Sequence, residues 1–173
     1  MDNASDRFDR PGRDSDLDEP RFLIGDVVMA TGLSVNVLKA WLSREPKVIQ
    51  LGPYDRESLG RGSARVFTLR RVISIAVTAE LVSLGLAPSR AGELAYSLTD
   101  EQADAAFFVE SLIVETAVVA YPGQEKLEIL REDSRITEVF SKSPSQSLND
   151  APASCVIVSF SAVAKRVRTK LGL

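Results

Sequence analysis

The chain has no histidine and a single cysteine among its 173 residues. Without imidazole, a Ser-His-Asp or Cys-His catalytic arrangement is excluded. With Cys155 as the only soft ligand, a His/Cys zinc site is excluded within one chain, and no metal or other cofactor is expected. One cysteine also forbids an intrachain disulfide, which fits a reducing compartment. No run of 18 or more apolar residues is present, so a membrane-spanning helix is not expected. The N-terminus is acidic and lacks an apolar stretch, so no signal peptide is expected either. A P-loop, a GxGxxG turn and a paired-carboxylate signature are all missing, and no enzymatic activity is expected. What is present is ordinary globular material, 45% hydrophobic.

The formal net charge of −3 is unevenly spread. Residues 1–20 carry seven acids against Arg7, Arg10 and Arg13, a balance of −4. Phe8 and Leu17 are the only large apolar side chains there, so an acidic disordered tail is expected. Residues 21–97 carry ten bases and six acids, a balance of +4, and residues 98–173 carry eight bases and eleven acids, a balance of −3. Eight of the ten central bases fall between Lys39 and Arg71: Lys39, Arg44, Lys47, Arg56, Arg61, Arg65, Arg70 and Arg71. A cationic segment suits nucleic acid only where a fold points the charges one way. The acidic tail is a candidate intramolecular competitor for such a surface.

Residues 22–43 supply a fold of that kind. Ile24, Val27, Val28 and Ala30 recur at helical spacing, and Thr31-Gly32 interrupts them. Gly32 suits the left-handed residue that closes a helix. Ser34 suits the N-cap of a second helix, with Val37, Leu38, Trp41 and Leu42 on one face. Val35, Asn36, Lys39 and Ser43 then face outward, with Asn36 and Lys39 able to reach base edges or phosphates. The pattern is that of a helix-turn-helix.

Pro46 ends the second helix. Lys47–Leu51 reads as a short strand, 52–63 as a loop, and 64–67 as a return strand. Together they form a β-hairpin wing carrying Arg56, Arg61 and Arg65. Thr68 caps a long buried helix over 69–84, closed by Gly85. Arg70 and Arg71 stand in its first turn, against the dipole preference for acids there, and a nearby phosphate would explain them. A further short helix begins at Pro88.

The order I-G-x-V-x-x-x-T-G-L-S-V-x-x-L-x-x-W, then a Gly-rich segment ending in Arg65-x-Phe67-Thr68, then a long helix closing with Leu84-Gly85-Leu86, resembles the MerR-type winged helix-turn-helix over about residues 22–97. The resemblance implies recognition-helix contacts at Asn36 and Lys39, an aromatic position at Trp41 and a wing arginine at Arg65. The family's consecutive aromatics are replaced by Ala40-Trp41, and its aromatic before the wing arginine by Ala64. The expected DNA-binding set is Ser34, Val35, Asn36, Lys39, Trp41, Arg44, Lys47, Arg56, Arg61, Arg65, Arg70 and Arg71.

The family's long dimerisation helix is not seen in the second half. Thr99–Gln102 fits a capping box that opens a helix through about Phe108. Leu112–Tyr121, Lys126–Leu130 and Cys155–Phe160 read as three strands. Residues 141–154 read as a mobile loop, and Ser161 as the cap of a last helix, 162–171. Lys165, Arg166, Arg168 and Lys170 either complement that helix's dipole or add phosphate contacts.

The fold expected is α+β: a tail (1–20), a winged helix-turn-helix domain (21–97) and a small α+β module (98–173) of about three strands and a C-terminal helix, serving dimerisation or partner binding. The expected function is sequence-specific binding of double-stranded DNA by a bacterial or phage-type transcriptional regulator, cytoplasmic and nucleoid-associated, as a homodimer. The alternatives are a recombination, excision or DNA-packaging accessory factor with the same domain, and a protein-interaction adaptor.

Overall fold

The computed structural model describes residues 15–57, 64–123, 125–131 and 155–173. The helices are α1 (Ser15–Asp18), α2 (Ile24–Thr31), α3 (Val35–Ser43), α4 (Leu69–Ser83), α5 (Pro88–Tyr96), a π-helix (Ser97–Gln102), α6 (Ala105–Glu110) and α7 (Phe160–Lys170). The strands are β1 (Thr116–Ala120), β2 (Glu128–Arg131) and β3 (Val156–Ser159). They form one antiparallel sheet in the order β2-β1-β3, with Val118 opposite Ile129 on one side and Val158 on the other. The class is therefore α+β, as expected.

Helix α4 is the axis of the fold. Its Val72, Ile73, Ile75, Ala76 and Val77 are all buried, and it packs against α1, α2, α5 and α7. No single apolar stripe marks it, because neighbours cover it on several sides. One hydrophobic cluster runs from Leu38 and Trp41 of α3 through α4 to Val118, Val158 and Phe160. The expected domain division at residues 97 and 98 therefore does not coincide with a break in the core.

Three local expectations are corrected. The expected disordered tail is ordered at its end, because Leu17 enters the core and Asp18 is buried against Arg70; residues 1–14 lie outside the described residues. Thr99–Gln102 opens no new helix. The chain runs on from α5 as a π-helix, with the Ala103 N–H reaching the Leu98 carbonyl at 2.8 Å, and Asp104 caps α6 through the Phe107 N–H. The cap of α7 is Ser159, which accepts from the Ala162 N–H. Ser161 instead serves β1: its buried hydroxyl accepts from the Thr116 N–H at 2.6 Å and lies 3.1 Å from the Val114 carbonyl. The loop at 141–154 lies outside the described residues.

Candidate nucleic-acid interface

Helices α2 and α3 meet through a tight turn. Gly32 has φ +76° and sends its N–H to the Val28 carbonyl at 2.9 Å. A side chain is strained in that left-handed region, which is why glycine suits the turn. Asp26 accepts from the Leu23 N–H at the start of α2, and Ser34 accepts from the Val37 N–H at the start of α3. Leu38, Trp41 and Leu42 bury the inner face of α3. Val35, Asn36, Lys39, Ala40 and Ser43 are exposed on the other. Val37, expected on the inner face, is 40% exposed.

Trp41 is a core residue, 9% exposed, and is corrected from the expected contact set. Its carbonyl accepts from both Val48 and Ile49, at 3.1 Å each. That contact also explains why 47–51 forms no strand. The segment folds back over the end of α3 and buries Val48 and Ile49, so its amides meet a helix carbonyl rather than a ladder. The return segment pairs elsewhere, in two isolated bridges: Val66 with Arg56, and Phe67 with Phe22. A short ladder at Arg56 and Val66 thus stands where a 47–51/64–67 hairpin was expected. Arg61 lies outside the described residues.

The largest correction concerns Arg70 and Arg71. Arg71 is 1% exposed, donates from Nε to Asp55 at 2.9 Å and from Nη2 to Asp100 at 2.6 Å, and lies over the Tyr96 ring. Arg70 forks onto Asp18 at 2.6 and 3.2 Å, donates to the Thr99 and Ala103 carbonyls, and lies over Phe108. The first-turn cations do sit beside anions, but these are the chain's own carboxylates. Removing one partner of a pair this buried costs about 3–5 kcal/mol. Burial and the nearby Asp100 charge also raise the Tyr96 phenol above its ordinary 10.0, with Arg71 opposing in part. Sequence reading missed Asp18, Asp55 and Asp100. The one signal for them was the unfavourable placement of two arginines at a helix start.

The remaining cations divide cleanly. Arg21, Arg90, Arg131, Lys165, Arg166 and Arg168 pair with Asp16, Glu93, Glu110, Glu115, Glu80 and Asp16 respectively. Lys47 lies 3.8 Å from Glu57, both exposed. Among the described residues, Lys39, Arg44, Arg56 and Arg65 have no carboxylate partner, and outside this segment only Lys126 and Lys170 share that state. The half-buried Arg65 even has its Nε enclosed without a hydrogen-bond partner.

No protein-family model matches this chain, and no curated protein matches it. The site is therefore read from its own chemistry. Among the described residues no group of three potential metal ligands forms, and no helix is long and apolar enough to cross a membrane. Cys155 is half-buried beside Val119 and Tyr121.

Proposed function

We propose that this chain binds double-stranded DNA through α3 and the Arg56–Val66 ladder, in a winged helix-turn-helix arrangement, as a sequence-specific regulator. The observation that carries this reading is the distribution of unpaired cations. Lys39, Arg44, Arg56 and Arg65 lack carboxylates, whereas most basic side chains elsewhere have them. Phosphate oxygens could pair with the exposed Lys39, Arg44 and Arg56 and with the outer nitrogens of the half-buried Arg65.

The exposed face of α3 suits a major groove. Asn36 offers an amide able to read adenine, Lys39 an ammonium able to read guanine, and Val35 and Ala40 methyl groups able to meet thymine. Arg56 and Arg65, at the Arg56–Val66 bridge, would hold the backbone. In this role the buried face of α3 fixes the helix's orientation, and the exposed face does the reading. A homodimer would place two such helices on half-sites one helical turn apart.

Replacement of Lys39 and Arg65 together by alanine tests the proposal. Duplex affinity measured by gel shift should fall by roughly 1–3 kcal/mol from Lys39 if it reads a base, with a further sequence-independent loss and a salt slope shallower by about 1 from Arg65 if it holds a phosphate. Unchanged affinity in that double variant would rule the interface out. Selection of bound sequences from random DNA should yield a palindrome if a symmetric dimer is the binding form.

A further inference from the structure

Two neighbouring arginines at the start of α4 hold three segments that are remote in sequence. Arg70 takes Asp18 from the N-terminal side and the carbonyls of Thr99 and Ala103 from the π-helix and its end. Arg71 lies between Asp55 and Asp100. Asp55 is saturated. One of its oxygens accepts from the Thr68 N–H and hydroxyl at 2.9 and 3.1 Å, and the other from the Gly52 N–H and Arg71 Nε at 2.7 and 2.9 Å. The next residue, Arg56, already exchanges both backbone hydrogen bonds with Val66. The ladder carrying Arg56 and Arg65 therefore begins one residue from a buried carboxylate.

This root has little slack. A Cβ on Gly52 would stand 2.5 Å from Arg71 Nη2 and 2.8 Å from Asp100 Oδ1, so the loop backbone rests directly on the ion pair. Asp100 is held in turn by the Thr99 hydroxyl at 2.7 Å on its second oxygen. Its position follows from the π-helix, whose wide turns are costly in isolation and recur at functional sites.

We propose that Asp100 is a positioning residue for the Arg56–Val66 ladder: through Arg71 it fixes residues 52–55, so that the π-helix sets where Arg56 and Arg65 stand. The functional consequence rests on the DNA-binding reading; the mechanical link does not. Without the Asp100 carboxylate, Arg71 Nη2 loses its charged acceptor, and the loop loses the wall behind Gly52. The guanidinium must shift, and Asp55 shifts with it. Helix α3 is held by its own buried face, and Asp100 makes no hydrogen bond to it.

The test uses the full chain with Asp100→Ala and Asp100→Asn, each in the parent and in an Arg56→Ala/Arg65→Ala background. Affinity for a mixed-sequence duplex is read by fluorescence anisotropy at low salt, and amide hydrogen exchange is followed over 52–57 and 35–43. In the parent, Asp100→Ala should weaken DNA binding roughly threefold to tenfold, and in the arginine-free background less than about twofold, since coupling appears only where the coupled groups exist. Exchange should quicken over 52–57 and stay unchanged over 35–43. Asp100→Asn keeps an acceptor for Arg71 and should give a smaller loss of the same pattern; it decides the matter if the alanine variant fails to fold. Equal losses in both backgrounds, or unchanged exchange over 52–57, would overturn the proposal. A parent chain that does not bind duplex would overturn the DNA reading alone, and the exchange measurement would still decide whether Asp100 fixes the loop.

Discussion

If the chain binds DNA as proposed, the salt dependence of that binding follows from which cations are free. Four described side chains in the segment, Lys39, Arg44, Arg56 and Arg65, have no internal partner. If each neutralises one phosphate, four contacts at about 0.9 each give a log–log salt slope of about −3.6 per chain. Between about 50 and 200 mM salt, affinity then falls by about 150-fold. Arg56→Ala with Arg65→Ala leaves two contacts, a slope of about −1.8 and a fall of about twelvefold over the same range. Arg70 and Arg71 contribute nothing to the slope, because their carboxylates satisfy them inside the fold. Arg70→Lys should therefore lower the melting temperature by losing the fork onto Asp18, and leave the slope where it was. Fluorescence anisotropy titrations across a salt series measure all three slopes. A slope that survives the double alanine change, or one that falls with Arg70→Lys, would refute the division into free and internally used cations.

Three further outcomes follow from the packing. Gly92→Ala should destabilise the fold by about 1–3 kcal/mol or more in denaturant melts, despite alanine's better helix propensity, because its Cβ would lie 1.9 Å from the Val48 carbonyl oxygen; a neutral result would mean the α5 contact is loose. Ser161→Ala should cost about 1–3 kcal/mol by leaving the buried Thr116 N–H without its hydroxyl acceptor, more than the roughly 1 kcal/mol expected for Ser159→Ala at the exposed cap, and the reverse order would contradict the assignment of caps. Tyr96 is raised above 10.0 in the fold, so its neutral form stabilises the native state below pH 10 and that contribution is lost as pH rises through the folded value. Tyr96→Phe should accordingly reduce the loss of stability above pH 10, and identical alkaline melting curves would refute the shift.

Elements whose signals are local were legible in the sequence. The Thr31-Gly32 interruption and Ser34 placed the turn between α2 and α3, because a left-handed residue and a side-chain cap are decided within a few residues. Thr68 placed the start of α4 for the same reason. The three strands were recognisable from β-branched runs, although β1 begins at Thr116 rather than Leu112. What could not be read was set by distant partners. Val48 and Ile49 have strand propensity, yet their amides go to Trp41 and their side chains to the core. Val37 has the spacing of a buried residue, yet nothing packs over it fully. Thr99–Gln102 has the composition of a capping box, yet it continues α5 as a π-helix whose Thr99 carbonyl and Asp100 carboxylate meet Arg70 and Arg71, partners 29 positions away.

The candidate interface shows the same limit in its charges. Counting bases between Lys39 and Arg71 treats them as equivalent, and the fold does not. Arg71 meets Asp55 across 16 positions and Asp100 across 29, separations at which no sequence pattern announces a pair. Two arginines in a first turn imply an anion, since the helix dipole disfavours them otherwise. Whether that anion is a ligand or a side chain depends on burial, which the sequence does not carry. Here burial assigns Arg70 and Arg71 to the scaffold, whereas Lys39, Arg44, Arg56 and Arg65 have no carboxylate partner among the described residues. The +4 balance of residues 21–97 therefore overstates the cations available and understates their organisation: Lys39 and Arg44 stand on α3 and its C-cap, while the internal pairs hold the loop that leads into Arg56.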